Sequence, residues 1–130
     1  MCGIAGYIGK SKDPKASWRL ITEIFDHLWI RGTDASGVWG LDSAGVIYDK
    51  QPYSTKLFVR RNQWWDLRDR NPELFMVHAR AASKGSEHAA DNKNNHPFTS
   101  ECQRIGVIHN GFIAENLSDQ YEIQSDTDSE

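Results

Sequence analysis

Cysteine is scarce in this chain. Only Cys2 and Cys102 occur among its 130 residues, so no disulfide framework holds the fold and a reducing, cytoplasmic setting is expected. No apolar run approaches the roughly 20 residues of a membrane-spanning helix. The N-terminus also lacks the basic and long apolar regions of a secretory signal. Excess positive charge is missing too. A formal net charge of −3 gives no field that would draw nucleic acid or an acidic membrane surface. Cys102 and the histidines (27, 78, 88, 96 and 109) show no metal-ligand spacing, so neither a metal nor another cofactor is implied. Gly6 to Ser11 approximates a phosphate-binding loop, but that pattern needs glycine at position 4, where Ile4 stands. There are no internal repeats and no linker, and the length suits one modest domain over 1–130.

What is present alternates between strand and helix patterns. Gly3 to Gly9 reads as a short strand with apolar residues set between glycines. Asp13 and Pro14 have the form of an N-cap and first helical residue. From Lys15 to Trp29, the spacing of Trp18, Ile21, Phe25 and Leu28 predicts an amphipathic helix, its stripe widened by Leu20, Ile24 and Trp29. Val38 to Leu41 and Gly45 to Tyr48 read as a hairpin turned at Asp42-Ser43-Ala44. Leu57 to Arg60 reads as another strand, and Gln63 to Arg70 as a short helix closed before Pro72. Leu74 to Arg80 is the clearest strand. Ala81 to Thr99 reads as a long polar loop, and Ile105 to Ile108 as a buried strand ending at His109-Asn110-Gly111. The class is α+β.

Cys2 carries the most chemical information. Removal of Met1 would leave a thiol and a free α-amine on one residue. An α-amine with an ordinary pKa of about 7.7 to 8.0 is a suitable base for that thiol. A thiolate suits acyl transfer. Taken alone, Cys2 also reads as a small residue opening a strand. Further polar clusters lie at Arg31-Gly32-Thr33-Asp34, His78-Ala79-Arg80, His109-Asn110-Gly111 and Ser125-Asp126-Thr127-Asp128. Most fall at ends of apolar segments, where side chains can converge on a pocket. Individually, Arg80 also reads as a solvated charge, His109-Asn110-Gly111 as a plain turn, and Asp128 as one charge of an acidic tail.

In order along the chain, MCGIAGYIG, RGTDASG, HARAASKG, NNHPF, VIHNGFIAEN and SDTDSE resemble the motif blocks of the class II glutamine amidotransferases. These have a glutaminase domain of the N-terminal nucleophile hydrolase type. The resemblance implies the N-terminal part of a four-layer αββα sandwich, incomplete here because the family domain continues past the SDTDSE block. It implies that Cys2 attacks the side-chain amide of glutamine, giving a thioester and then glutamate and ammonia. It also implies an oxyanion hole from Asn110 and Gly111, and substrate contacts from Arg80 (α-carboxylate), Asp128 (α-ammonium) and Ser83. Arg31, Asp34 and His78 are implied as supporting residues. Ala81, Lys84 and Phe98 depart from the family pattern without removing a catalytic group. The implied partner is a synthase domain or subunit that accepts the ammonia. Two other readings remain: a non-catalytic or split-gene fragment serving as a binding or assembly module, and a hydrolase of other γ-glutamyl compounds.

Three signals lie outside this set. Cys102 reads as a bystander. Asn116-Leu117-Ser118 matches a glycosylation acceptor that matters only on secretion. Lys56, Arg60, Arg61, Arg68 and Arg70 around Trp64 and Trp65 read as a solvated face with two packed tryptophans, with a protein interface as the other possibility.

Overall fold

The computed structural model describes residues 1–82 and 87–111. Its centre is a four-stranded antiparallel sheet of β1 (Gly3–Ile8), β2 (Ala35–Asp42), β3 (Gly45–Gln51) and β4 (Leu74–Arg80), in the order β1-β4-β2-β3. One face is covered by α1 (Pro14–His27), α2 (Thr55–Phe58), α3 (Asn62–Asp66) and a 3₁₀ turn at Leu67–Arg70. A 3₁₀ turn at Leu28–Ile30 follows α1, and the rest of the described chain comprises α4 (Glu87–Ala90), a 3₁₀ turn at Asn92–Asn94, and a small ribbon of β5 (Phe98–Thr99) and β6 (Gly106–Val107). The protein is therefore α+β with an antiparallel sheet.

Register decides which side chains meet. Ala5 stands opposite Val77, Val77 pairs Val38, and Tyr7 pairs Phe75. Because side chains alternate along a strand, these residues share the helix-covered face. There they join Trp18, Ile21 and Phe25 of α1 with Phe58 and Trp64 in one core. Asp13 caps α1 by accepting from the Ala16 N–H at 3.1 Å, and Pro14 occupies the first turn, where a missing N–H costs nothing. Trp64 is the hub. It is fully buried, lies 4.6 Å from Trp18 and 5.3 Å from Phe25 between ring centroids, and donates its indole N–H to Thr22 Oγ1 at 3.0 Å. Trp64→Ala is expected to destabilise the fold by about 3–5 kcal/mol, because so large a void between rigid rings collapses poorly. Urea titration of both proteins measures this, and a loss below about 1 kcal/mol would count against Trp64 as the hub.

Several expectations need correction. Leu57 to Arg60 is not a strand: α2 ends at Phe58 and Val59 follows as its cap, so adjacent Phe58 and Val59 are both buried, which strand alternation would not allow. The polar stretch 81–99 is no plain loop, since it holds α4, the 3₁₀ turn and β5. The segment 105–108 contributes only the two-residue β6, with Ile105 and Val107 exposed. On α1 the buried stripe is narrower than expected, and Leu20 and Ile24 face outward. Of the paired tryptophans only Trp64 is packed, and Trp65 is exposed. The cations around them are largely occupied: Arg61 pairs Asp49, Arg70 pairs Asp42, Arg68 pairs Asp69, and Lys56 lies over the Trp29 ring.

Candidate active site

The opposite sheet face carries the chemistry. Even-numbered residues of β1 and β4 point to it, and His78 stands between Ile4 and Gly37 in one cross-strand row. Continuing the β1–β4 register one residue past Gly3–Ala79 sets Cys2 opposite Arg80. Cys2, His78 and Arg80 thus share one face at one end of the sheet. Segment 94–107 covers part of this face. Gly37 makes room for it, since a Cβ there would strike the His96 carbonyl and Pro97, and a Cβ on Gly106 would strike the Trp39 ring. The Trp39 indole N–H donates to the Gln103 carbonyl at 2.9 Å, and Lys50 Nζ donates to the Asn95 carbonyl at 2.7 Å.

This packing brings Asn110 to Cys2. The Cys2 backbone N–H donates to Asn110 Oδ1 at 3.1 Å, and Cys2 Sγ lies 3.7 Å from the Ala81 carbonyl. Since Oδ1 faces the Cys2 nitrogen, the Asn110 NH₂ points elsewhere. One strand over, His78 Nε2 donates to the His109 carbonyl at 3.1 Å, tying β4 to the residue before Asn110. Gly111 follows, exposed. Met1 is 82% exposed, so its peptide bond to Cys2 is open to a processing enzyme.

The turn after β4 is clasped by Asp34. Its N–H donates to the Arg80 carbonyl at 3.0 Å, and its Oδ2 accepts from the Ala82 N–H at 2.8 Å. Gly32 passes so close that any Cβ would collide with the Arg80 carbonyl group, which is why the turn needs glycine there. Arg31 lies on the surface, its guanidinium 4.0 Å from the Met1 sulfur. Ser83 and Asp128 lie outside the described residues. Sequence reasoning gave no role to Asn95 or His96, although both fall within the NNHPF block. Asn95 is fully buried and its Oδ1 accepts from Arg80 Nη1 at 3.3 Å. His96 stacks on His78 with ring centroids 4.5 Å apart. Only the motif context could have pointed to them.

The histidine pair is uncharged at neutral pH. Burial, with the nearby Arg80 and His109, lowers the His78 pKa to about 4 against an opposing pull from its bond to the His109 carbonyl. Burial followed by His78, Arg80, His109 and Lys50 lowers His96 to about 3. Among the described residues, His78 Nδ1 and both His96 ring nitrogens have no hydrogen-bond partner. The unfolded chain, with histidines near pKa 6.5, binds more protons below that pH than the folded one. Stability contributed by the pair is therefore complete above about pH 6.5 and is lost as pH falls toward about 4 and then 3, by on the order of 3 to 5 kcal/mol for each histidine. Denaturation free energies at pH 7 and pH 4.5 measure the loss. His96→Leu should flatten the slope, and an unchanged slope would contradict this assignment.

The Cys2 thiol, the Asn110 carboxamide on the Cys2 nitrogen and Arg80 across the strand pair lie together, and over its whole length the chain is similar in sequence to the class II glutamine amidotransferases. It is 31% identical over 143 aligned residues to the glutamine–fructose-6-phosphate aminotransferase (isomerizing) of Clostridium tetani, covering 100% of this chain and 21% of that protein. The Staphylococcus epidermidis protein of the same name is 32% identical over 143 residues, and that of Aquifex aeolicus 28% over 137, again with 100% of this chain covered. The chain thus spans about a fifth of the length of these relatives. No family model and no solved structure matches it. Among the described residues no helix is long and apolar enough to cross a membrane, and no three His, Cys, Asp or Glu side chains form a metal-holding group.

Proposed function

We propose that residues 1–130 form a class II glutaminase domain that hydrolyses the side-chain amide of glutamine in the cytoplasm, with Cys2 as N-terminal nucleophile. The observation that carries this reading is the 3.1 Å bond from the Cys2 nitrogen to Asn110 Oδ1. Once Met1 is removed, that nitrogen is an amine. Donating one N–H to Asn110 holds its lone pair toward the thiol, from which it takes the proton. The thiolate attacks the amide carbon. The resulting oxyanion is held by Asn110 Nδ2 and the Gly111 N–H, two donors fixed before charge develops. Collapse breaks the C–N bond as the ammonium of Cys2 returns its proton to the leaving nitrogen, and ammonia departs. Water then loses a proton to the same amine and attacks the thioester, releasing glutamate and restoring the thiol.

In this scheme Arg80 pairs with the substrate α-carboxylate, which its planar fork fits bidentately. Asp128 takes the α-ammonium, and Ser83 adds a hydroxyl. Arg31, Asp34 and His78 support the site. The helix-covered sheet is the first half of a four-layer αββα sandwich. Ammonia passes to an acceptor site on another domain or chain, and fructose 6-phosphate, which appears in the relatives' names, is the acceptor to test first. The test is glutamate release from L-glutamine beside γ-glutamyl dipeptides. Preference for glutamine supports the reading. Preference for the dipeptides shifts it to a γ-glutamyl hydrolase, and no release from either refutes a catalytic role.

A further inference from the structure

We propose that Asn95 is the positioning residue that aims Arg80 while leaving its charge free for the substrate. The inference rests on the reading of Arg80 as the carboxylate clamp.

A carboxylate-binding arginine must meet two opposing demands. Its long side chain must be held in one geometry, or ordering it on binding weakens the contact. Its charge must also stay unneutralised, or the substrate carboxylate has to displace a resident anion. A carboxylate neighbour meets the first demand and fails the second. A buried amide oxygen meets both. Asn95 Oδ1 accepts from Arg80 Nη1 at 3.3 Å, and among the described residues no carboxylate pairs with Arg80.

The amide is itself fixed. Asn95 is fully buried, and its Nδ2 donates to the Ala89 carbonyl at 2.7 Å and to Asn92 Oδ1 at 3.1 Å. Both Nδ2 hydrogens have acceptors, so only Oδ1 can face the guanidinium. A flipped amide would set oxygen against two acceptors and NH₂ against a cation. The backbone is anchored as well, with Lys50 Nζ on the Asn95 carbonyl at 2.7 Å and the Asn95 N–H on the Asn92 carbonyl at 3.2 Å. The Arg80 main chain is held separately, by the Asp34 N–H on its carbonyl at 3.0 Å. Asp34 therefore places the backbone of Arg80, and Asn95 places its head.

The test compares alkylation of Cys2 in the Met1-processed full chain by two reagents. One is 6-diazo-5-oxo-norleucine, which carries the α-carboxylate and α-ammonium of glutamine. The other is iodoacetamide, which carries neither. The ratio of the two rate constants reads the clamp, while iodoacetamide alone reads the nucleophile. Asn95→Ala should lower the ratio about tenfold with the iodoacetamide rate unchanged. Asn95→Asp should lower it further, because its carboxylate claims the guanidinium. In an Arg80→Lys background, Asn95→Ala should add no further loss. An unchanged ratio, or an equal fall with both reagents as general damage would give, overturns the proposal.

Should the variants not fold, the native protein still decides. Its Arg80 guanidinium should show separate Nη resonances from restricted rotation in ¹⁵N spectra, and averaged resonances overturn the proposal. A native protein that shows no preference for the glutamine-shaped reagent refutes the clamp reading of Arg80 and this inference with it. A native preference left intact by Asn95→Ala refutes the inference alone.

Discussion

Cys2→Ala is expected to slow glutamate release by about 10⁴-fold or more, since it removes the group proposed to form the acyl bond. Cys102 cannot substitute for it. That thiol is exposed, lies in the turn between β5 and β6, and has Ser100 Oγ 3.5 Å from its sulfur. Glutamine binding should survive, because Arg80, the proposed clamp, lies across the strand pair and is held by Asn95 independently of the thiol. Calorimetric titration of Cys2→Ala with glutamine, beside steady-state assays of both proteins, separates the two effects. Residual turnover within tenfold of the native rate would assign the nucleophile elsewhere.

Asn110 should show the second-largest effect, and its two faces can be separated. Asn110→Ala removes the Nδ2 donor and the Oδ1 acceptor together, and kcat is expected to fall about 10²–10³-fold with little change in KM, the pattern of a contact made mainly in the transition state. Asn110→Asp keeps an acceptor for the Cys2 nitrogen, now bonded at 3.1 Å, but places a negative oxygen where the proposed oxyanion would form. If stabilising the oxyanion is its main role, Asp should be worse than Ala. If holding the Cys2 amine is its main role, Asp should be the milder change. Steady-state kinetics on the two variants decides between these roles.

The parts of the fold legible in the sequence were those whose periodicity follows burial. β1 and β4 are apolar segments pinned by sheet register, and α1 announces itself through Asp13, Pro14 and the Trp18-Ile21-Phe25 stripe. Short elements were less legible. α2 is one turn long, so Leu57, Phe58 and Val59 look like a strand until the fold places two neighbours inward. Leu20 and Ile24 look like core residues, yet they face away from the buried side of α1, which Trp18, Ile21 and Phe25 form. Segment 87–99 has no period at all. Its order comes from asparagine side chains bonded to distant backbone, such as Asn92 Nδ2 on the Lys50 carbonyl at 2.6 Å, and no local pattern encodes that.

The candidate site divides along the same line. Cys2, Arg80 and Asn110 stand out because their residue types carry chemistry and their neighbours form ordered motif blocks. Their convergence is geometric: Cys2 and Arg80 meet across an antiparallel pair, and Asn110 arrives on a segment packed over Gly37. Asn95 and His96 have no such signature. A buried asparagine and a buried neutral histidine look in sequence like ordinary loop residues, and only the contacts with Arg80 and His78 give them meaning.

The proposed role of the Cys2 amine is to serve as base for its own thiol. It is tested most directly by assaying glutamate release from L-glutamine before and after enzymatic removal of Met1, with the processed terminus verified by intact mass. Activity should appear only as Met1 is lost, in proportion to the processed fraction. Equal activity with Met1 in place, or none in the fully processed chain, would contradict it.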